Sequence, residues 1–224
     1  MALSVVQTKP VVQTRLDKML SHPDKVFWPA EGYTKLDLAH FYAQVFPKLK
    51  PYLADRLLTM ERCPDGMRGG CFYQKEAPKT LPPATSTKVI EHQKRSVRYV
   101  VGGALETQIA LVNLGCIPVH VWGSRAKNPN KPDWLVFDLD PGSGEFAEAA
   151  KAGLLFKEAL DALHLASFPK TSGSRGLHVF VPLRTGPDFD QVRSFAAELC
   201  GRLAAAHPKT LTVEQRIEAR QGRV

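Results

Sequence analysis

The chain has 224 residues and the composition of an ordinary globular protein, enough for one large domain or two small ones around a sizeable core. Lys and Arg outnumber Asp and Glu by 30 to 22, and the resulting charge of +8 favours polyanionic partners such as nucleic acid. No long apolar segment or signal peptide is visible, which argues against a membrane span and for the cytosol. The four cysteines form no Cys-x-x-Cys pair, so they read as free thiols in a reducing compartment and not as a structural zinc site.

The first residues carry no pattern, and 1–23 reads as an N-terminal arm. A turn-rich segment, DKVFWPAEGYTK (24–35), follows. Thr34 with Asp37 three residues on forms a capping box, and Leu38, Phe41, Tyr42, Val45 and Leu49 recur at helical spacing. Pro47 and Pro51 are expected to end that helix. RLLTMER (56–62) predicts a strand, and a Pro/Gly-rich, basic stretch runs from Cys63 to about Ser96. Then come a strand over 97–101, a helix over 103–115 closed by Gly115, and a strand over 117–125. Trp134–Leu139 reads as another strand. After it come a helix from about Glu145 to Leu163, a strand–turn–strand over 165–183, and a helix from about Asp188 to Ala206. Interspersed helices and strands of this kind make an α/β protein.

Chemistry concentrates in a few stretches. In PDWLVFDLDPGSG (132–144) the strand period puts Asp138 and Asp140 on one side with Trp134 and Val136, and Leu135, Phe137 and Leu139 on the other. Two neighbouring carboxylates repel, and a hard divalent cation relieves that conflict. The plainer alternative is a solvated acidic turn. TSGSRGLHVFV (171–181) suits an anion-binding loop, with backbone N–H groups and Arg175 for phosphate oxygens and His178 just beyond. A tight hairpin explains it equally well. His120, alone on its strand, reads first as a satisfied core histidine. Basic residues including Lys25, Lys35 and Arg62 interleave with Phe27, Trp28, Phe72 and Tyr73. Such a mixture can hold phosphates and stack on bases, although Phe27 and Trp28 are better placed in a core.

DKVFWP, GYTK, TMERCPDG, CFYQKEAP, NLGCIPVHVWGSR, PDWLVFDLDPG and KTSGSRGLHVFVPL occur in this order, and together they resemble the polymerase domain of bacterial ligase D, of the archaeo-eukaryotic primase superfamily. The resemblance covers roughly 24–224. It implies a primase-polymerase core with an RNA-recognition-motif-like catalytic sheet and an N-terminal α/β unit. It also implies template-dependent primer extension and gap filling with ribo- or deoxynucleoside triphosphates during non-homologous end joining, in the bacterial cytosol or nucleoid. By the same resemblance Asp138 and Asp140 hold a two-metal site for Mn²⁺ or Mg²⁺. Ser172, Arg175, His178, His120 and Arg62 serve the nucleotide. Lys25 and Lys35 recognise a DNA 5′-phosphate, and Phe72 and Tyr73 stack on the template. Partners implied are phosphorylated, gapped or overhanging DNA ends, Ku and a DNA ligase.

One departure stands out. The family's third catalytic aspartate follows an R-x-G-(K/R)-V segment, here RQGRV (220–224), and is expected beyond Val224, so the domain reads as C-terminally truncated. A non-catalytic module that binds 5′-phosphorylated ends is therefore the alternative to the polymerase. A metal-dependent nuclease or phosphohydrolase is a third reading, since paired carboxylates also serve hydrolysis.

Overall fold

Strand alternation decides which face of each sheet is buried, and in this chain it sorts the candidate site residues. The computed structural model describes residues 16–142, 144–184, 186–214 and 216–224. Residues 1–15 of the expected arm lie outside them, while Leu16 and Leu20 at its end are buried in a core. The chain divides into two compact units, the first reaching Lys127 and the second running from Asn128 to Val224. Among the described residues no helix is long and apolar enough to cross a membrane.

In the first unit a short antiparallel hairpin, β1 (Val26–Trp28) and β2 (Tyr33–Thr34), leads into α1 (Lys35–Leu53). The capping box is present: Thr34 Oγ1 accepts from the Asp37 amide, and the Asp37 carboxylate accepts from the Thr34 amide. The helix does not end at Pro47. It runs through both prolines to Leu53. Both prolines face solvent, while Leu38, Ala39, Tyr42, Phe46 and Leu53 keep one apolar side buried. Tertiary packing of that side outweighs the hydrogen bonds lost at the prolines.

A five-stranded antiparallel sheet follows, of β3 (Arg56–Arg62), β4 (Phe72–Gln74), β5 (Thr87–Glu91), β6 (Ser96–Val101) and β7 (Cys116–Arg125), with α2 (Leu105–Asn113) between β6 and β7. β3 is central. β7 pairs along its length on one edge, while β6 pairs with its first half and β4 with its second. Leu58 and Met60 face the helices, in a core with Phe46, Leu53 and Leu111. Leu57 faces the other way, with Tyr99, Val97 and Trp122. β4 and β5 fall inside the stretch whose Pro and Gly content hid them. Gly115 closes α2 with φ +80°, and a Cβ there would lie 3.0 Å from Pro64 Cα.

The cysteine expectation is corrected in part. Cys63 and Cys71 form a disulfide with an S–S distance of 2.10 Å, and only Cys116 and Cys200 are free. The loop between them turns back on itself so that the two sulfurs meet, a closeness that spacing along the sequence does not report.

The second unit is a three-stranded antiparallel sheet in the order β8 (Trp134–Leu139), β10 (Leu177–Pro182), β9 (Phe168–Thr171), with α3 (Phe146–Ala162) and α4 (Phe189–Ala206). Phe137, Leu139, Leu177, Val179 and Val181 are buried with Ala149, Phe156 and Leu160 of α3 and Leu199 and Leu203 of α4. Helices thus cover one face of the sheet, and the other carries Asp138, His178 and Lys170 beside Trp134 and Phe180.

Candidate functional site

In the second unit, burial of Phe137 and Leu139 turns Asp138 and Asp140 outward, as the strand period predicts. β10 runs antiparallel beside β8 with His178 directly opposite Asp138, and His178 Nε2 lies 3.4 Å from Asp138 Oδ1. Across His178 on the far side is Lys170 of β9, which the sequence reading passed over. One row of the open face therefore reads carboxylate, imidazole, ammonium.

The turn between β9 and β10 adjoins these acids. Ser172 N–H donates to Gly176 O at 3.0 Å, and Ser172 Oγ accepts from Gly176 N at 3.0 Å and from Ser174 N at 3.4 Å. The stretch is the hairpin turn of the plainer reading, and in it the Ser172 hydroxyl is fixed while Gly173, Ser174 and Arg175 are exposed. Arg175 rests against Gly144, where an added Cβ would meet its Nη1 at 2.5 Å. Gly176 is buried, and a Cβ there would lie 2.6 Å from Asp140 Oδ1. Arg220 donates to the Asp140 carbonyl at 3.0 Å, a brace from a part of the chain that sequence spacing could not link to Asp140.

Two exposed carboxylates at one strand end are a hard oxygen donor set, and the Asp140 carboxylate occupies the space that a side chain at Gly176 would fill. The residues present fit Mg²⁺ or Mn²⁺, with phosphate and water oxygens completing the shell. Among the described residues no group of three or more His, Cys, Asp or Glu side chains comes together as a metal site.

The first unit carries a separate basic cleft of about 570 Å³, lined by Lys25, Lys35, Arg62, His22 and Asn113 among others. Lys25 Nζ pairs with Asp65 at 2.8 Å and stays partly exposed. Lys35 is buried, and its ammonium donates to Ser21 O at 2.7 Å and Asn113 O at 3.2 Å. Burial, helped by the Lys25 charge, lowers its pKa below the usual lysine value. Arg62 joins this cleft, held by Leu114 O at 2.9 Å and Gln74 Oε1 at 2.8 Å.

The sheet separates the remaining residues. Arg62 lies opposite Phe72 in the β3–β4 register, with its guanidinium carbon 5.5 Å from the ring centroid. Glu61 lies opposite Tyr73, and His120 meets both, 3.1 Å from Glu61 Oε2 and 5.3 Å from the Tyr73 ring. Phe72 and Tyr73 thus occupy opposite faces, as do Arg62 and His120. His120 is exposed, so the core reading of it is corrected: β7 puts it on the face away from α1 and α2. Phe27, in contrast, is fully buried as expected.

Residues 34–224 match the family described as LigD, primase-polymerase domain. The multifunctional non-homologous end joining DNA repair protein LigD of Mycobacterium tuberculosis is 31% identical over 214 residues, 92% of this chain and 28% of that protein. LigD of Pseudomonas aeruginosa is 30% identical over 206 residues, 92% of this chain and 24% of its own length. The bifunctional LigD of Bacillus subtilis is 29% identical, covering 88% of this chain and 32% of that protein. The chain therefore spans between about a quarter and a third of the length of these relatives. Among solved structures, the polymerase domain from Mycobacterium tuberculosis ligase D in complex with DNA matches with a TM-score of 0.86 at 30% identity, over 91% of this chain and 74% of that one. The mixed α/β fold is that of the LigD polymerase domain, and the chain belongs to the LigD primase-polymerase domain family.

Proposed function

We propose that the chain extends DNA primers and fills short gaps at double-strand breaks by template-dependent, metal-dependent nucleotidyl transfer from ribo- or deoxynucleoside triphosphates. Residues 24–224 act as one primase-polymerase domain behind the arm at 1–23, with the second unit's sheet as its RNA-recognition-motif-like catalytic sheet. The observation that carries this reading is the pair Asp138 and Asp140, outward at the end of β8 beside His178 and the Ser172–Gly176 turn, in a chain of this family.

Asp138 and Asp140 would hold Mn²⁺ or Mg²⁺, which supplies charge neutralisation at the phosphates and activation of the primer 3′-hydroxyl. Ser172 and Arg175 bind and orient the triphosphate, the first through a hydroxyl whose oxygen is already fixed by backbone donors. His178, 3.4 Å from the Asp138 carboxylate, steadies it and is assigned to the same triphosphate. Arg62 and His120 are assigned to the nucleotide by the family resemblance, and Phe72 and Tyr73 to stacking on the template. Phosphorylated DNA ends, Ku and a DNA ligase are the partners this role requires, in the bacterial cytosol or nucleoid.

A second reading is a non-catalytic module that binds 5′-phosphorylated ends. It is favoured by the basic cleft, which is built wholly from residues 22–115 of the first unit. One experiment tests both: a gapped duplex with a downstream 5′-phosphate, Mn²⁺ and ribonucleotides, read for extension and for binding. The polymerase reading expects extension that Asp138→Ala abolishes while DNA binding is kept. Extension by Asp138→Ala at the original rate would remove the metal assignment. Binding without extension, with a 5′-phosphate preference that Lys25→Ala removes, would leave the second reading. Degradation of the primer would point to hydrolysis.

A further inference from the structure

Gly176 lies between the acids of β8 and the turn that holds Ser172. Its backbone is not left-handed, whereas Gly173 in the same turn has φ +100°. Turn conformation therefore accounts for Gly173 and leaves Gly176 without a conformational reason to be glycine. The reason is space. A Cβ at 176 would stand 2.6 Å from Asp140 Oδ1, 3.1 Å from Leu139 O and 3.2 Å from Ser172 Oγ.

These three neighbours do not yield equally. Leu139 is fixed by its pairing with Leu177 and by its own burial. Ser172 Oγ is fixed by the amides of Gly176 and Ser174. The Asp140 carboxylate is the end of an exposed side chain and turns about its own bonds. An added methyl group at 176 meets the Asp140 carboxylate most closely, and the carboxylate, as the freest of the three, gives way most, while Leu139 O and Ser172 Oγ need shift by only a few tenths of an ångström. We infer that Gly176 is a positioning residue: by lacking a side chain it seats the Asp140 carboxylate against the Ser172 turn, where a divalent cation and a triphosphate can share both. This rests on Asp140 being a metal ligand.

Hard divalent cations tolerate little misplacement of a ligand oxygen, and removing a group that orients a ligand typically weakens metal binding by about 10–100-fold. The test is Mn²⁺ binding followed by the electron paramagnetic resonance signal of the free ion, on the full chain without DNA or nucleotide. Wild type, Asp140→Ala, Gly176→Ala and Gly201→Ala are compared, each with its thermal midpoint. Gly201 lies in α4 with nothing within 4 Å of an added Cβ, so it serves as the control. Gly176→Ala is expected to bind Mn²⁺ about 10-fold more weakly, with a midpoint within about 2 °C of wild type. Wild-type affinity in Gly176→Ala overturns the inference alone. A loss of Mn²⁺ that comes with a midpoint lowered by more than about 5 °C also overturns it, because the glycine would then be structural. Failure of wild type to bind Mn²⁺ any better than Asp140→Ala removes the metal reading itself, and the inference with it.

Discussion

Lys25 and Lys35 share a cleft but differ in environment. Lys25 reaches solvent and a carboxylate, while Lys35 is wrapped by the carbonyls of Ser21 and Asn113. An ammonium among dipoles but short of water loses more by being charged, and a second cation nearby adds to the loss. Both effects hold the Lys35 pKa below 10.5. The sign follows. If a charged Lys35 helps to bind a 5′-phosphate, its contribution is complete below its folded pKa and disappears as the pH climbs through it, before an ordinary lysine would titrate. The preference for phosphorylated over unphosphorylated DNA ends is therefore expected to fall between neutral pH and 10.5, and to fall less in Lys35→Arg, whose charge persists. A preference flat across that range would show that Lys35 is a structural cation only. The two lysines were legible in the sequence by the motifs they occupy. Asp65, Ser21 and Asn113 were not, because they arrive from separate segments and only folding brings their oxygens to the ammonium groups.

At the scale of elements, β3 and β4 act as a sorter. Adjacent side chains on a strand point apart, so CFYQK sends Phe72 to the Arg62 side and Tyr73 to the His120 side. Read as a sequence, the two aromatics look like one stacking pair; the strand places them on opposite faces, Phe72 beside Arg62 and Tyr73 beside His120. Alanine substitutions at Phe72 and Tyr73 are expected to act on DNA binding independently, with a coupling below about 0.5 kcal/mol in a double-mutant cycle. A coupling above about 1 kcal/mol would mean that both rings grip the same base, with β4 rearranged to allow it. The same period made the face of Asp138 and Asp140 readable in advance, since β8 is regular and one-sided. Helix α1 was readable at its start, where Thr34 and Asp37 cap it locally. It was misread at its end, where buried Phe46 and Leu53 carry it past two prolines. Local signals fix beginnings well, and long-range packing decides how far an element continues.

At the scale of the molecule, the basic balance predicted for a nucleic-acid partner is met by a fold whose family relatives include a polymerase domain solved with DNA. The cysteines are the feature that composition misjudged. The Cys63–Cys71 link closes a loop that bears Asp65, the partner of Lys25, and is flanked by Arg62 and Phe72. In the chain-entropy account a closed loop of this length contributes about 2–3 kcal/mol by restricting the unfolded chain. Adding a reductant, or replacing Cys71 by Ser, is expected to lower the denaturant stability of the first unit by about that amount. Identical unfolding curves with and without reductant would show that the link contributes nothing. Cys116 does not complicate the measurement: burial raises its pKa to about 12, so it stays a protonated thiol near neutral pH.

The one-sided packing of β8 also bears on how this gene can change. Phe137 and Leu139 fill the core with α3, and the acids ride on the alternate positions. Loss or gain of a single codon between Trp134 and Asp140 would turn every later side chain to the other face, burying carboxylates and exposing phenylalanine and leucine. Changes of two codons would preserve the alternation. Length variation in this strand should accumulate in even steps, so a sequence that differs there by one residue has abandoned either its core or its acids.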